Sequence, residues 1–231
     1  MNVLIPFGEE IWIAEGKVVS FYGFPYSTRQ AVIRLATGDL FVWSPVALTP
    51  GLATDVDALG TVAHIVSPNK IHHLFMGEWN KAYPKAKLYA SPGLAKRRPG
   101  LAFDADFASM SQMPWAGEID AVAMLGSLAM TEIVFFHHKS RTAIFADLIQ
   151  NFAPDWFKGW RGFLARLDGI VSPHPGAPRE WRLSFCDRNS ARAALARILA
   201  WQPERVIVAH GCVVPCDGGA FIRHAFRWLA S

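Results

Sequence analysis

The residues best suited to metal or proton chemistry fall in three stretches: SPNKIHHLF (67–75), TEIVFFHHKSRTAIFADLI (131–149) and RVIVAHG (205–211). The first holds Lys70 and the adjacent pair His72 and His73. The second holds Glu132, His137, His138 and Asp147, and the third sets His210 before Gly211. Imidazoles with a carboxylate form a donor set for zinc, iron or manganese, provided that they converge. Adjacent side chains in a regular helix diverge by about 100°. At a loop-to-helix junction, irregular backbone can aim both at one point. The pair is therefore either half of a metal site or two unrelated residues at a turn.

The second stretch has a geometry of its own. If the chain reverses at Lys139 and Ser140, the numbers of opposed residues sum to about 279. Glu132 then faces Asp147, while His137 and His138 sit near the turn, about 16 Å away. Facing carboxylates are unfavourable unless a cation, a hydrogen-bonding group or a proton lies between them. A one-residue slip in register would instead place Glu132 in solvent. His210 closes a β-branched strand beside a glycine, where side chains converge on a cleft.

Several elements must position these groups. KVVSFYGF, QAVIRL, LFVWSP and GTVAHIVS read as strands, with Thr37-Gly38-Asp39 as a turn. A short helix over MGEWNKAY and a strand KLYAS follow. Residues 91–117, rich in proline and glycine, read as a long surface excursion. EIDAVAML and the hairpin open the second half. Helices are expected over GWRGFLARL, from about Asn189 to Trp201, and over AFIRHAFRWLA, with SPHPGAPREW as a connection.

Composition narrows the class. With 231 residues and 52% hydrophobic, the chain can bury one sizeable core, and a single domain over 1–231 is expected. The balance of 23 Lys and Arg against 19 Asp and Glu gives a formal charge of only +4. Its densest cluster, Lys96 to Arg98, is too short for a nucleic-acid footprint, so no nucleic-acid partner is expected. The N-terminus lacks a basic leader, and Glu9 and Glu10 interrupt its apolar run. No segment approaches the ~20 apolar residues of a membrane span, so no membrane partner is expected. Three cysteines suit a reducing compartment, and a cytoplasmic location is expected. His64 reads as a core residue, and His174 and His224 as solvent-facing. Cys212 and Cys216 lack a second pair for a closed zinc site. Ser67 has no nucleophile-elbow context, and no glycine-rich phosphate loop follows a strand.

The order of these features resembles the metallo-β-lactamase-fold hydrolases, in a divergent branch of unknown function. The resemblance is carried by HIVSPNKIHHLFMGEWNKAYPKAKLYASPG and TEIVFFHHKSRTAIFADL, and it runs from the N-terminal strands to His210. The superfamily's His-x-His-x-Asp-His motif falls on Pro68, Lys70, His72 and His73, and its mid-chain ligand histidine falls near Leu128. Asp147 matches the bridging aspartate and His210 the late histidine.

The resemblance implies a four-layer αββα sandwich of two mixed sheets. It also implies one divalent metal ion at the second of the superfamily's two positions, held by His72, His73, Asp147 and His210. Zinc is expected there, with iron or manganese as alternatives. The implied activity is hydrolysis of a small-molecule ester, lactone, thioester or phosphoester. Lys70 would polarise the substrate oxygen in place of the missing ion, and Glu132 would accept a proton or hold a ligand imidazole. Two other readings stay open: a non-catalytic binding or scaffold domain with structural histidines, and an iron site for redox or gas binding.

Overall fold

A computed structural model describes residues 3–108 and 112–230. The chain opens with strands β1 (Ile5–Gly8) and β2 (Ile11–Glu15), a pair that the sequence reading passed over. The expected single strand over KVVSFYGF is instead a small hairpin of β3 (Val19–Phe21) and β4 (Phe24–Tyr26). Tyr22 and Gly23 both take positive φ, 48° and 80°, the two-residue turn that matches strand twist.

Next come β5 (Arg29–Arg34), β6 (Asp39–Trp43), helix α1 (Pro50–Leu59), β7 (Thr61–Val66), α2 (Met76–Ala82) and β8 (Lys87–Ala90). The excursion over 91–117 carries α3 (Leu94–Arg97) and β9 (Ala105–Asp106); its residues 109–111 lie outside the described ones. The second half contains β10 (Ile119–Met124), β11 (Glu132–His137), β12 (Thr142–Phe145), α4 (Gly159–Asp168) and α5 (Arg179–Leu183). It closes with α6 (Arg188–Ala200), β13 (Arg205–Val208) and α7 (Gly218–Ala225). The expected closing helix ends early, and Arg227–Leu229 form a separate 3-10 turn.

Two mixed sheets result, one of seven strands (β1-β2-β5-β6-β7-β8-β9) and one of four (β10-β11-β12-β13). Alternation of side chains explains their stacking. Ile33, Phe41 and Trp43 of the first sheet meet Phe135, Ile144 and Ile207 of the second in a central core. The opposite face of the first sheet, with Val32, Leu40 and Val42, packs on Leu52 and Val56 of α1 and on Met76 and Trp79 of α2. The opposite face of the second, with Phe136, Phe145 and Val206, packs on Ala191 and Ile198 of α6 and on Ile222 of α7. Helix, sheet, sheet, helix is the expected αββα sandwich.

β11 and β12 pair as Phe135↔Ile144, Phe136↔Ala143 and His137↔Thr142, the register expected from a turn at Lys139 and Ser140. His137 is buried at that end, and its Nδ1 lies 2.8 Å from Ser140 Oγ. Burial first, then the charges of His138 and Lys139, push its imidazole down to about 4. Between pH 6.5 and about 4 the unfolded chain therefore binds a proton that the folded chain refuses. Stability should fall across that window as pH drops, by up to about 3 kcal/mol. Urea titrations of the parent and a His137→Gln variant at steps across the window check this: the variant should lose that part of the slope.

Candidate metal centre

The site lies where β6, β7, β12 and β13 all end, at one rim of the sandwich. After β7 the chain enters a tight turn held by its own polar groups. Ser67 Oγ donates to the carbonyls of Asn69 and His72, both at 2.7 Å. Asn69 Oδ1 accepts from the amides of Ile71 and His72 at 3.0 and 3.3 Å. This Asx-type turn fixes where His72 points. His72 Nδ1 lies 2.8 Å from Ser44 Oγ, just beyond β6, and its Nε2 lies 3.0 Å from Asp147 Oδ2.

His210 approaches the same carboxylate from the other side. Its Nε2 lies 3.1 Å from Asp147 Oδ1, and its Nδ1 donates to the Ser27 carbonyl at 2.6 Å. The backbone around it is cross-tied: the Asn151 amide donates to the His210 carbonyl, and the Cys212 amide donates to the Asn151 carbonyl. Gly211 sits between at φ 93°, and a Cβ there would lie 2.2 Å from the Asn151 carbonyl oxygen. Only glycine fits that approach. Among the described residues His72, Asp147 and His210 form a group whose ligand atoms all lie within 4.8 Å of one another.

Beneath the group lies Glu132, fully buried at the start of β11. Its Oε1 accepts from the Ala146 amide at 2.9 Å, and its Oε2 from the Asp147 and Leu148 amides at 2.8 and 3.3 Å. The problem of two facing carboxylates is answered by a hydrogen-bonding group. Asn69 Nδ2 donates to Glu132 Oε2 at 3.1 Å and to Asp147 Oδ2 at 2.7 Å. Burial, and then the Asp147 charge, push the Glu132 carboxyl up to about 8 against the pull of these donors. Burial also pushes Asp147 upward, but the imidazoles of His72 and His210 outweigh it and hold its carboxyl well below the usual range.

The remaining expected site residues are placed differently. His73 does not join the group: its Nδ1 lies 3.0 Å from Arg98 Nη1, and burial and then Arg98 lower its pKa. The turn that aims His72 inward sends its neighbour toward the excursion, the ordinary outcome for consecutive side chains. Glu132 makes no hydrogen bond to either imidazole; it accepts from the three amides of the Asp147 loop. Lys70 donates from Nζ to the Ala129 carbonyl at the wall of the site. Leu128, where the superfamily's mid-chain ligand would fall, is 82% exposed. His137 and His138 lie away from the group, paired with Ser140 and Asp120 respectively.

The group opens into a cavity of about 670 Å³. The β3–β4 hairpin forms one wall with Phe21, Tyr22 and Tyr26, and Leu74, Met130 and Trp181 line it elsewhere. A mainly apolar cavity with a few convergent polar groups at one end suits a small organic ligand. Sequence reasoning missed Asn69, Ser44 and Ser27, the groups that orient the site. Asn69 lies within the stretch singled out, but its partners are 63 and 78 residues away.

Comparison with known proteins bears on the family and the fold. A family profile described as a domain of unknown function (DUF4336) matches residues 9–158. No curated protein matches the sequence. Among solved structures, a metallo-β-lactamase from Pontibacter korlensis superposes with a TM-score of 0.64 at 11% identity, covering 99% of this chain and 98% of its own. The metallo-β-lactamase FIM-1 from Pseudomonas aeruginosa, in a mono-zinc form, gives 0.63 at 11% identity, with 99% and 96% covered. A metal-soaked flavodiiron core, Flv1 from Synechocystis, gives 0.64 at 11% identity, covering 98% of this chain and 60% of that one. The fold is that of the metallo-β-lactamases.

Proposed function

We propose, from the premise that this chain belongs to the DUF4336 family and has the metallo-β-lactamase fold, that it is a hydrolase dependent on one divalent metal ion. The observation that carries the reading is the convergence of His72, Asp147 and His210 at the head of an apolar cavity. The donor set fits a metal ion. Two imidazoles present Nε2 to one point, and the Ser27 carbonyl accepts from His210 Nδ1, which leaves Nε2 of the neutral ring as a lone pair. Ser44 stands in the corresponding place behind His72. Two imidazoles and a carboxylate are also the protein ligands of open catalytic zinc sites, and iron and manganese accept the same atoms.

An ion held there supplies Lewis-acid activation of water and of a carbonyl or phosphoryl oxygen. The protein's own part is to hold that geometry. Glu132 fixes the Asp147 loop, and the hairpin and Trp181 exclude water from the apolar part of a substrate. Lys70 stands where the first-position ligands of the superfamily are missing, and its ammonium offers positive charge to a substrate oxygen. The substrate class we propose is a small ester, lactone, thioester or phosphoester.

Metal analysis of the purified protein beside a panel of such substrates tests this. About one metal ion per chain and metal-dependent turnover are expected. Lys70→Ala should keep the metal and lower turnover roughly a hundredfold. His73→Ala should also keep the metal, because its imidazole faces Arg98. Full occupancy with no turnover on any panel member would turn the reading to a binding domain. Metal lost with His73→Ala would restore that residue to the ligand set.

A further inference from the structure

Helix α4 is built inside out. Its small residues Gly162 and Ala165 face the protein, while Trp160, Phe163, Leu164 and Leu167 face solvent at 59, 62, 43 and 45% exposure. That spacing, i, i+3, i+4, i+7, is a single apolar stripe. Gly162 permits the inverted seat: a Cβ there would lie 2.7 Å from the Phe157 carbonyl oxygen. The stripe continues onto the β3–β4 hairpin. Phe24 meets Trp160 edge-on at 5.6 Å, Arg161 Nε donates to the Gly23 carbonyl at 2.9 Å, and Trp156 Nε1 donates to the Pro25 carbonyl at 2.9 Å. At the hairpin tip Phe21 is 47% and Tyr22 90% exposed, and both also line the cavity.

We propose that this platform docks on an anionic membrane surface, with the mouth of the cavity held at the lipid. The charges choose the occupant. Lys158, Arg161 and Arg166 flank the stripe, with the Arg161 guanidinium 4.7 Å from the Trp160 ring centre. Arg166 Nη2 donates to the Pro154 carbonyl at 3.1 Å, and against these cations stands one exposed carboxylate, Asp155, on the preceding loop. Asp168, the helix's acidic residue, is turned back to accept from the Arg179 amide at 2.6 Å. Two copies of the chain meeting face to face would oppose these cations, whereas acidic lipid headgroups neutralise them. An exposed apolar face with indole, phenyl and leucyl groups beside Lys and Arg is the pattern of an interfacial helix. No helix among the described residues is long and apolar enough to cross a membrane, so the contact is peripheral. This reading replaces the expectation of no membrane partner, and it stands independently of the hydrolase proposal.

Vesicle flotation of the full chain tests it, using phosphatidylcholine vesicles with and without phosphatidylglycerol. The protein should float with the phosphatidylglycerol vesicles, and added salt should weaken it. The double variant Phe163→Ser, Leu167→Ser should reduce that binding about tenfold or more, with an unchanged melting curve because both positions are solvent-facing. Lys158→Glu with Arg161→Glu should reduce it too. Failure to float with either vesicle overturns the proposal, as does equal binding to both. A concentration-dependent dimer in analytical ultracentrifugation, dissolved by the same serine pair, would assign the platform to a second copy and also overturn it.

Discussion

Asp147→Asn should leave the protein folded but without its metal and its turnover. Both carboxylate oxygens are engaged, Oδ1 by His210 and Oδ2 by His72 and Asn69, so an amide that offers one oxygen cannot serve all three partners. Affinity for zinc should fall by more than about a hundredfold, beyond the scale for losing an outer partner of a ligand. The fold should survive because the anchor of this loop is its main chain: the amide of residue 147 still reaches Glu132. Relief of repulsion on buried Glu132 offsets only part of the lost imidazole contacts that hold the Asp147 carboxyl ionised, so the metal-free variant should melt below the metal-free parent but still cooperatively. Metal titration and melting of the two proteins side by side check both halves. Metal retained at parental affinity would end the proposed mechanism.

Glu132→Ala should do the reverse and act on stability first. Truncation strands the buried amides of Ala146, Asp147 and Leu148 and removes one of the two acceptors of Asn69 Nδ2, which keeps Asp147. Each buried donor left unmade costs about 1–3 kcal/mol. A combined loss of about 4 kcal/mol or more is expected, a large part of the stability of an ordinary domain. Denaturant unfolding of the metal-free proteins measures it directly. Any variant that remains folded in the cold should also bind metal weakly, since the Asp147 loop loses its anchor. A loss under about 1 kcal/mol would mean that Glu132 does not grip this loop.

Much of this architecture could be read from residue patterns. The β11–β12 register followed from placing the turn at Lys139 and Ser140, which fixes the sum of opposed residue numbers; alternation could not help, because both faces of these strands are buried. Asp147 could be singled out because it faces Glu132 across the hairpin and His210 because it ends a strand beside Gly211, and the resemblance to the metallo-β-lactamase-fold hydrolases linked the two. Other elements hid. Helix α1 has the signals, with Thr49 capping the Leu52 amide and proline in the first turn, but it buries only Leu52 and Val56 and shows no strong stripe. KVVSFYGF looked continuous because the Tyr22-Gly23 turn needs positive φ at a tyrosine, which sequence patterns rarely signal. His73 turns toward Arg98 because Asn69 and Ser67 set the directions of the two adjacent side chains, through hydrogen bonds that strand periodicity does not encode. The inverted seat of α4 was equally hidden, since a stripe of large apolar residues normally faces inward.

Gly211 carries a lesson for anyone who would redesign this pocket. Tyr22, Leu74 and Met130 line the cavity, and a combinatorial library can vary their side chains freely. Position 211 is different in kind. A methyl group there would collide with main chain on the neighbouring loop, and main chain can yield only by carrying His210 with it. Selection for new substrates should therefore accumulate changes in the hairpin and around Trp181, while every surviving clone keeps the same residue at 211. Deep mutational scanning would show that position as an invariant column with no chemistry of its own.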